Sequence, residues 1–247
     1  MMVFGNSPKL AGLSLKLLPV FSEKGWTLSM IRTVVFDLDG TLLDRDTSLV
    51  RFVQDQYDRL LLHDASVDRE VYVRRFVELD RRGYVWKDQV YRQLTEEFAL
   101  PLPWDTLLTD YISEFHQHCV GFPNLHAALD SLKGKGIKLG LISNGYGEFQ
   151  YNNIKGLGIE PYFDIIAISE WEGLRKPDPR IFTNTLSRLK SKAEESIYVG
   201  DHPDNDVTAS RRIGMKGIWK RDPYYDPDFA KDGEITDLLE IMNYLQK

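Results

Sequence analysis

Apolar residues fall in short, nearly continuous runs at 33–38, 137–142, 164–168, 196–200 and 216–219. Runs of this length read as strands buried on both faces, because a strand with one wet face alternates apolar and polar residues. Between most of them the apolar period becomes that of a helix. Leu125, Ala128, Leu129 and Leu132 repeat at helical spacing ahead of the second run, with Pro123 near the helix start. Ile181, Phe182, Leu186 and Leu189 do the same ahead of the fourth. Strands alternating with helices predict a parallel sheet covered on both faces.

The pattern changes between the first two runs. Residues 46–120 hold four stretches of helical periodicity and no strand signal. Leu49, Phe52, Val53, Leu60 and Leu61 mark the first; Val67, Val71 and the run from Phe76 to Leu79 mark a less regular second. Trp86, Val90, Leu94 and Phe98 mark the third, and Trp104, Leu107, Leu108, Tyr111, Ile112 and Phe115 the fourth. An insertion of that length is too long for a loop. It predicts a helical domain of its own, its apolar stripes serving as core.

Composition narrows the function. A hydrophobic share of 43% in 247 residues allows one large domain or a domain with a smaller companion. A net charge of −6 argues against a nucleic-acid partner, which calls for a basic face. It leaves small anions open, since the local field of a cleft outweighs the total. No run of ~20 apolar residues is present to span a membrane. Cys119 is the only cysteine, so no intrachain disulfide forms, which fits a reducing, cytoplasmic setting and an inert thiol. The first 29 residues read as an N-terminal extension, poorly ordered or upstream of the natural start at Met30. Lys24-Gly25-Trp26 is encoded AAR-GGN-TGG, a purine-rich stretch that resembles a ribosome-binding site nine bases before the Met30 codon.

The polar residues at the ends of the apolar runs carry the chemistry. Asp37 and Asp39 stand two positions apart at the end of the first run, and Gly40 then permits a sharp turn. In a strand such residues share a side. Held together, they need a cation or a shared proton to relieve their repulsion, or else they are a loop pair capping the next helix. The second run ends Ser143-Asn144-Gly145 and the fourth ends at Asp201, with Asp206 five residues on. Lys176 precedes the helix start at Pro177-Asp178-Pro179. Ligands of parallel sheets bind beyond the strand C-termini. Asp37, Ser143 and Asp201 therefore converge on one site. His202 reads as structural, and Arg81-Arg82-Gly83 as a solvated helix end.

In order, these are an acid pair, a hydroxyl, a lysine and an acid pair. The set resembles the haloacid dehalogenase-like hydrolase superfamily, over most of the chain after Met30. The resemblance implies a Rossmann-like, three-layer α/β/α core at 30–45 and 121–247, and a helical cap domain at 46–120 that closes over the site. It implies a phosphatase with Asp37 as nucleophile, forming an aspartyl-phosphate, and Asp39 as proton donor and acceptor. Mg²⁺ would bind Asp37, Asp201 and the backbone carbonyl of Asp39. Ser143 and the Asn144 amide would hold phosphoryl oxygens at a helix N-terminus, with Lys176 neutralising charge. Asp206, or else Asp204, would orient the metal waters or Lys176. The partner would be a small phosphorylated metabolite. A phosphotransferase such as a phosphomutase, a dehalogenase and a non-catalytic binding protein are the alternatives. Asp39 argues against the dehalogenase, in which that position carries no acid.

Overall fold

The computed structural model describes residues 30–61 and 67–245; the expectations for residues 1–29 lie outside them. Among the described residues one parallel sheet runs in the order β3-β2-β1-β4-β5-β6. Its strands are β1 (Thr33–Phe36), β2 (Lys138–Ser143), β3 (Ile165–Ile168), β4 (Ser196–Gly200), β5 (Lys216–Lys220) and β6 (Gly233–Ile235). The first five coincide with the apolar runs. The sixth was not foreseen, because it is three residues long and only Ile235 is buried. An edge strand this short leaves no apolar run to read.

β1 occupies the middle of the sheet. Thr33–Phe36 pairs in register with Lys138–Leu141 on one side and Ser196–Val199 on the other. Phe36 is thus level with Leu141 and Val199, and the residues that follow all three leave by the same edge. Alternation along β1 sends Val34 and Phe36 to one face, against Leu129 and Leu132 of α5 (Leu125–Gly134). Val35 faces the other way, among Ile181, Phe182 and Leu186 of α8 (Pro179–Leu189). These two clusters are the filled spaces of a three-layer α/β/α core. The helices α6 (Gly147–Gly156), α7 (Ser169–Glu172) and α9 (Ala209–Arg212) follow β2, β3 and β4.

The insertion forms a helical bundle of α1 (Arg45–Leu60), α2 (Arg69–Asp80), α3 (Lys87–Phe98) and α4 (Trp104–Glu114). Arg45, counted above with the core, is already the first residue of α1. Asp44 caps that helix by accepting from the Thr47 amide at 3.0 Å and its hydroxyl at 2.7 Å, satisfying donors that a helix start leaves unpaired. Asp68 caps α2 in the same way. The bundle has its own core, in which Phe52 meets Tyr111 edge to face at 5.3 Å and Phe76 meets Tyr91 at 5.2 Å. In α2 the buried stripe is Tyr72, Phe76 and Asp80 at four-residue spacing, while Val71 and Val77 are exposed. The irregular reading of this helix arose because a charged residue completes its inner face. Phe149 of α6 stacks on Tyr111 at 5.2 Å and docks the bundle on the core.

Burial pushes the Cys119 thiol up to about 12, in keeping with an inert thiol. No helix among the described residues is long and apolar enough to cross a membrane.

Candidate active site

The pairing of β1 with β4 extends one residue past the strand: the Asp37 amide donates to Val199 O at 2.9 Å. The chain then turns tightly, with the amides of Leu42 and Leu43 both donating to Leu38 O. Asp39 therefore sits in the turn rather than on the strand. Both carboxylates nevertheless line one cavity of about 600 Å³ at the C-terminal edge of the sheet. Gly40 makes the turn possible. Its φ is +81°, and a Cβ there would lie 2.5 Å from Asp201 Oδ2.

Lys176 gathers the acids. Its Nζ donates to Asp37 Oδ1 at 2.5 Å, to Asp206 Oδ1 at 2.7 Å and to the Tyr198 hydroxyl at 3.0 Å. Thr41 Oγ1 donates to Asp37 Oδ2 at 3.1 Å. The lysine is held by its own backbone. The Asn144 side chain accepts from the Lys176 amide at 2.9 Å and donates to its carbonyl at 3.0 Å. Burial opposes charge on Lys176, yet Asp206 and Asp37 keep it well above the ordinary lysine range.

Asp37, Asp201 and Asp206 each offer a carboxylate oxygen within 4.8 Å of the others, and all three are buried. Burial pushes Asp37 up to about 7 against the pull of Lys176. Burial and the charges of Asp37 and Asp206 push Asp201 well above the ordinary carboxylate range. With all three ionised, the one ammonium bonded to Asp37 and Asp206 would leave two negative charges without a counter-charge, which adds to burial in raising Asp37 and Asp201. Hard oxygen donors with that excess suit a divalent cation such as Mg²⁺. Asp206 belongs to this cluster as closely as Asp201 does. It lies in a π-helical turn, Pro203–Thr208, that runs directly into α9. The exposed Asp204 takes no part in the cluster.

Ser143 and Asn144 stand where the sequence suggested, with one difference. Ser143 is fully buried and does not line the cavity, whereas Asn144 and Gly145 do. The Ser143 hydroxyl accepts from Gln150 Nε2 at 2.8 Å, which leaves its own proton free to donate. The helix after β2 starts only at Gly147, and Glu170 already accepts from its first amide at 2.6 Å. Ser143 and Asn144 therefore stand at the strand end before this helix rather than at its N-terminus.

Gln150 escaped the sequence reading. Its Nε2 also donates to Asp39 Oδ2 at 2.5 Å, and Asn153 Nδ2 donates to its Oε1 at 3.0 Å, fixing the amide's orientation. A lone glutamine on a helix gives no sequence signal. Tyr198, hidden inside an apolar strand, was missed for the same reason.

His202 lines the cavity and caps the turn that follows it. Its Nδ1 accepts from the amides of Asp204 and Asn205, and burial lowers its pKa. While Arg81 is exposed, Arg82 is half-buried rather than fully solvated as expected. Left-handed backbone at Arg81 (φ 47°), Arg82 (φ 58°) and Gly83 (φ 87°) turns its side chain onto Asp222, across the cavity mouth.

A family model described as haloacid dehalogenase-like hydrolase matches residues 34–220. A glyceraldehyde 3-phosphate phosphatase of Pyrococcus furiosus is 26% identical over 226 residues, covering 88% of this chain and 94% of the relative. A phosphoglycolate phosphatase of Aquifex aeolicus is 28% identical over 221 residues, 86% and 97% of the two chains. The crystal structure of a HAD phosphatase from Thermococcus onnurineus superposes with a TM-score of 0.62 at 26% identity, covering 87% and 98%.

Proposed function

This chain belongs to the haloacid dehalogenase-like hydrolases, and from that premise we propose that it is a Mg²⁺-dependent phosphatase of a small phosphorylated metabolite, acting through an aspartyl-phosphate on Asp37. The coarse activity, hydrolysis of a phosphoric monoester, is the one its relatives carry in their names. The observation that carries the finer reading is the buried Lys176 bridge between Asp37 and Asp206, beside Asp39 in the same cavity.

Asp37 is aimed by Lys176 and Thr41, one on each oxygen. It attacks phosphorus while the bond to the leaving oxygen breaks, and Asp39 gives that oxygen a proton. Asp39 then takes a proton from the water that attacks the phosphoryl group, which releases phosphate and restores Asp37. The Ser143 hydroxyl, the Asn144 amide and Lys176 hold the phosphoryl oxygens. Asp37, Asp201 and the Asp39 carbonyl would hold Mg²⁺, with Asp206 serving Lys176 and the metal's waters. A bound Mg²⁺ supplies the positive charge that offsets repulsion between Asp37 and the incoming phosphate. The bundle at 46–120 serves as a cap over the core at 30–45 and 121–247. A single cysteine and the small-metabolite chemistry support a cytoplasmic setting.

Phosphate release from a panel of sugar phosphates, nucleotides and phosphorylated acids, with Mg²⁺ and with EDTA, tests the reading. Asp37→Asn is expected to lower kcat by about 10⁴-fold or more with an unchanged circular dichroism spectrum. Substantial turnover by a clean Asp37→Asn preparation would overturn the mechanism.

A further inference from the structure

The phosphoryl chemistry occupies the floor of the cavity and leaves its helical wall unassigned. Three helix ends meet there: Arg45 opens α1, Asp80 closes α2 and Lys87 opens α3. Lys87 Nζ donates to Asp80 Oδ1, and Arg45 Nη2 donates to the same oxygen at 3.0 Å. Asp80 Oδ2 accepts from the Gly83 amide at 2.8 Å and lies 2.9 Å from Arg45 Nη1. Asp80 is 1% exposed and Lys87 2%. Two cations thus share one carboxylate, and the group carries one surplus positive charge.

Tying three helix ends together does not require that surplus. One cation would neutralise Asp80, and burying a second without a counter-charge is costly. The donors are also not all spent. Lys87 keeps ammonium donors beyond its bond to Asp80, and Arg45 Nη1, though 2.9 Å from Asp80 Oδ2, is buried out of hydrogen-bonding alignment with it. Arg45 and Lys87 line the same cavity as Asp37 and Asp39, and the charge of Asp39 reaches both cations. Apart from Asp39, the nearby acids are otherwise engaged or remote. Asp44 caps α1, Glu170 caps α6, Asp222 holds Arg82, and the exposed Asp46 stays 3.9 Å from Arg45.

We propose that Arg45 and Lys87, coupled through Asp80, form an anion subsite facing the phosphoryl site, and that the substrate is a short phosphomonoester ending in a carboxylate. A single surplus charge matches a monoanion, and guanidinium offers a carboxylate paired donors. A second phosphate, at about two negative charges, would exceed what this wall neutralises. Both cations line the same cavity of about 600 Å³ as Asp37 and Asp39, which keeps the spacer between phosphoryl group and carboxylate short. Tyr111, over whose ring Lys87 Nζ sits at 5.4 Å, provides an apolar flank for that spacer.

This inference rests on the phosphatase reading, and its test separates the two. Phosphate release is measured for matched pairs differing only in the terminal group: 2-phosphoglycolate against 2-hydroxyethyl phosphate, and 3-phosphoglycerate against glycerol 3-phosphate. A bisphosphate, 2,3-bisphosphoglycerate, is a third arm. The protein is expected to prefer the carboxylate member by about tenfold or more in kcat/KM, the range of one charge-assisted hydrogen bond. Arg45→Gln and Lys87→Met should each pull that ratio towards one, chiefly through KM. The ratio within each variant is its own control, because a variant that folds poorly loses both members of a pair alike. Release from both members without preference, a preference that survives both substitutions, or a stronger preference for the bisphosphate would overturn the subsite while leaving the phosphatase intact. No release from any compound would overturn the phosphatase reading and the subsite with it.

Discussion

Gln150 shows how much of the site rests on side chains that take no part in the bond-making. Its amide nitrogen serves both Asp39 and Ser143, and its oxygen is held by Asn153. Gln150→Leu keeps the volume and removes the donor. The loss of a hydrogen bond to a charged group, about 1.5–3 kcal/mol, predicts a kcat lower by roughly 10- to 100-fold. The drop should be larger for an alkyl phosphate than for p-nitrophenyl phosphate, whose leaving group needs no proton from Asp39. Equal losses on both compounds would reduce Gln150 to a structural residue. The acids proposed as catalytic, by contrast, were legible in the sequence, since they end an apolar run and charged residues there must leave the sheet. Gln150 and Tyr198 were not, because their roles depend on which helix and strand face the pocket.

At the scale of elements, strand register and helix ends decide what can meet. Gly200 closes β4 directly against Asp206; a Cβ there would fall 2.4 Å from that residue's Cβ and Cγ. Gly200→Ala must push Asp206 from Lys176, and overpacking of this kind costs about 1–3 kcal/mol. Urea unfolding should show that loss, together with a fall in kcat of at least about tenfold. Asp80 does for the bundle what Lys176 does for the core, since three helix ends depend on it. Removing it in Asp80→Ala leaves two cations without their partner and is expected to destabilise the protein by about 3–5 kcal/mol, read by the same unfolding experiment. Its place on the apolar stripe Tyr72-Phe76-Asp80 was a visible signal in the sequence: a charge on a buried face calls for a partner.

The whole molecule brings bundle and core together around one cavity. Phe149 packs against Tyr111 and Phe115 on one side, and Arg82 meets Asp222 on the other. Closure concentrates the acids of the core in a low-dielectric site, where like charges repel strongly. Mg²⁺ bound there should stabilise the folded state; a concentration about 100 times its dissociation constant corresponds to about 2.7 kcal/mol. Calorimetry should show a higher unfolding temperature in Mg²⁺ than in EDTA, and the difference should shrink in Asp201→Asn. An equal shift in that variant would move the cation elsewhere.

By itself the sequence determined the parallel α/β core, the helical insertion and the acids, hydroxyl and lysine that converge at one sheet edge. Periodicity and strand-end polarity are local properties, written in adjacent residues. Only the tertiary structure decided that Asp206 joins the buried acid cluster, that Arg82 turns onto Asp222, that Ser143 is buried behind the cavity and bonded to Gln150, and that Arg45 and Lys87 share Asp80 in the wall of the same cavity. Each of these depends on contacts between residues far apart in the chain. Helix packing and strand register set such contacts, and no short window of sequence contains them.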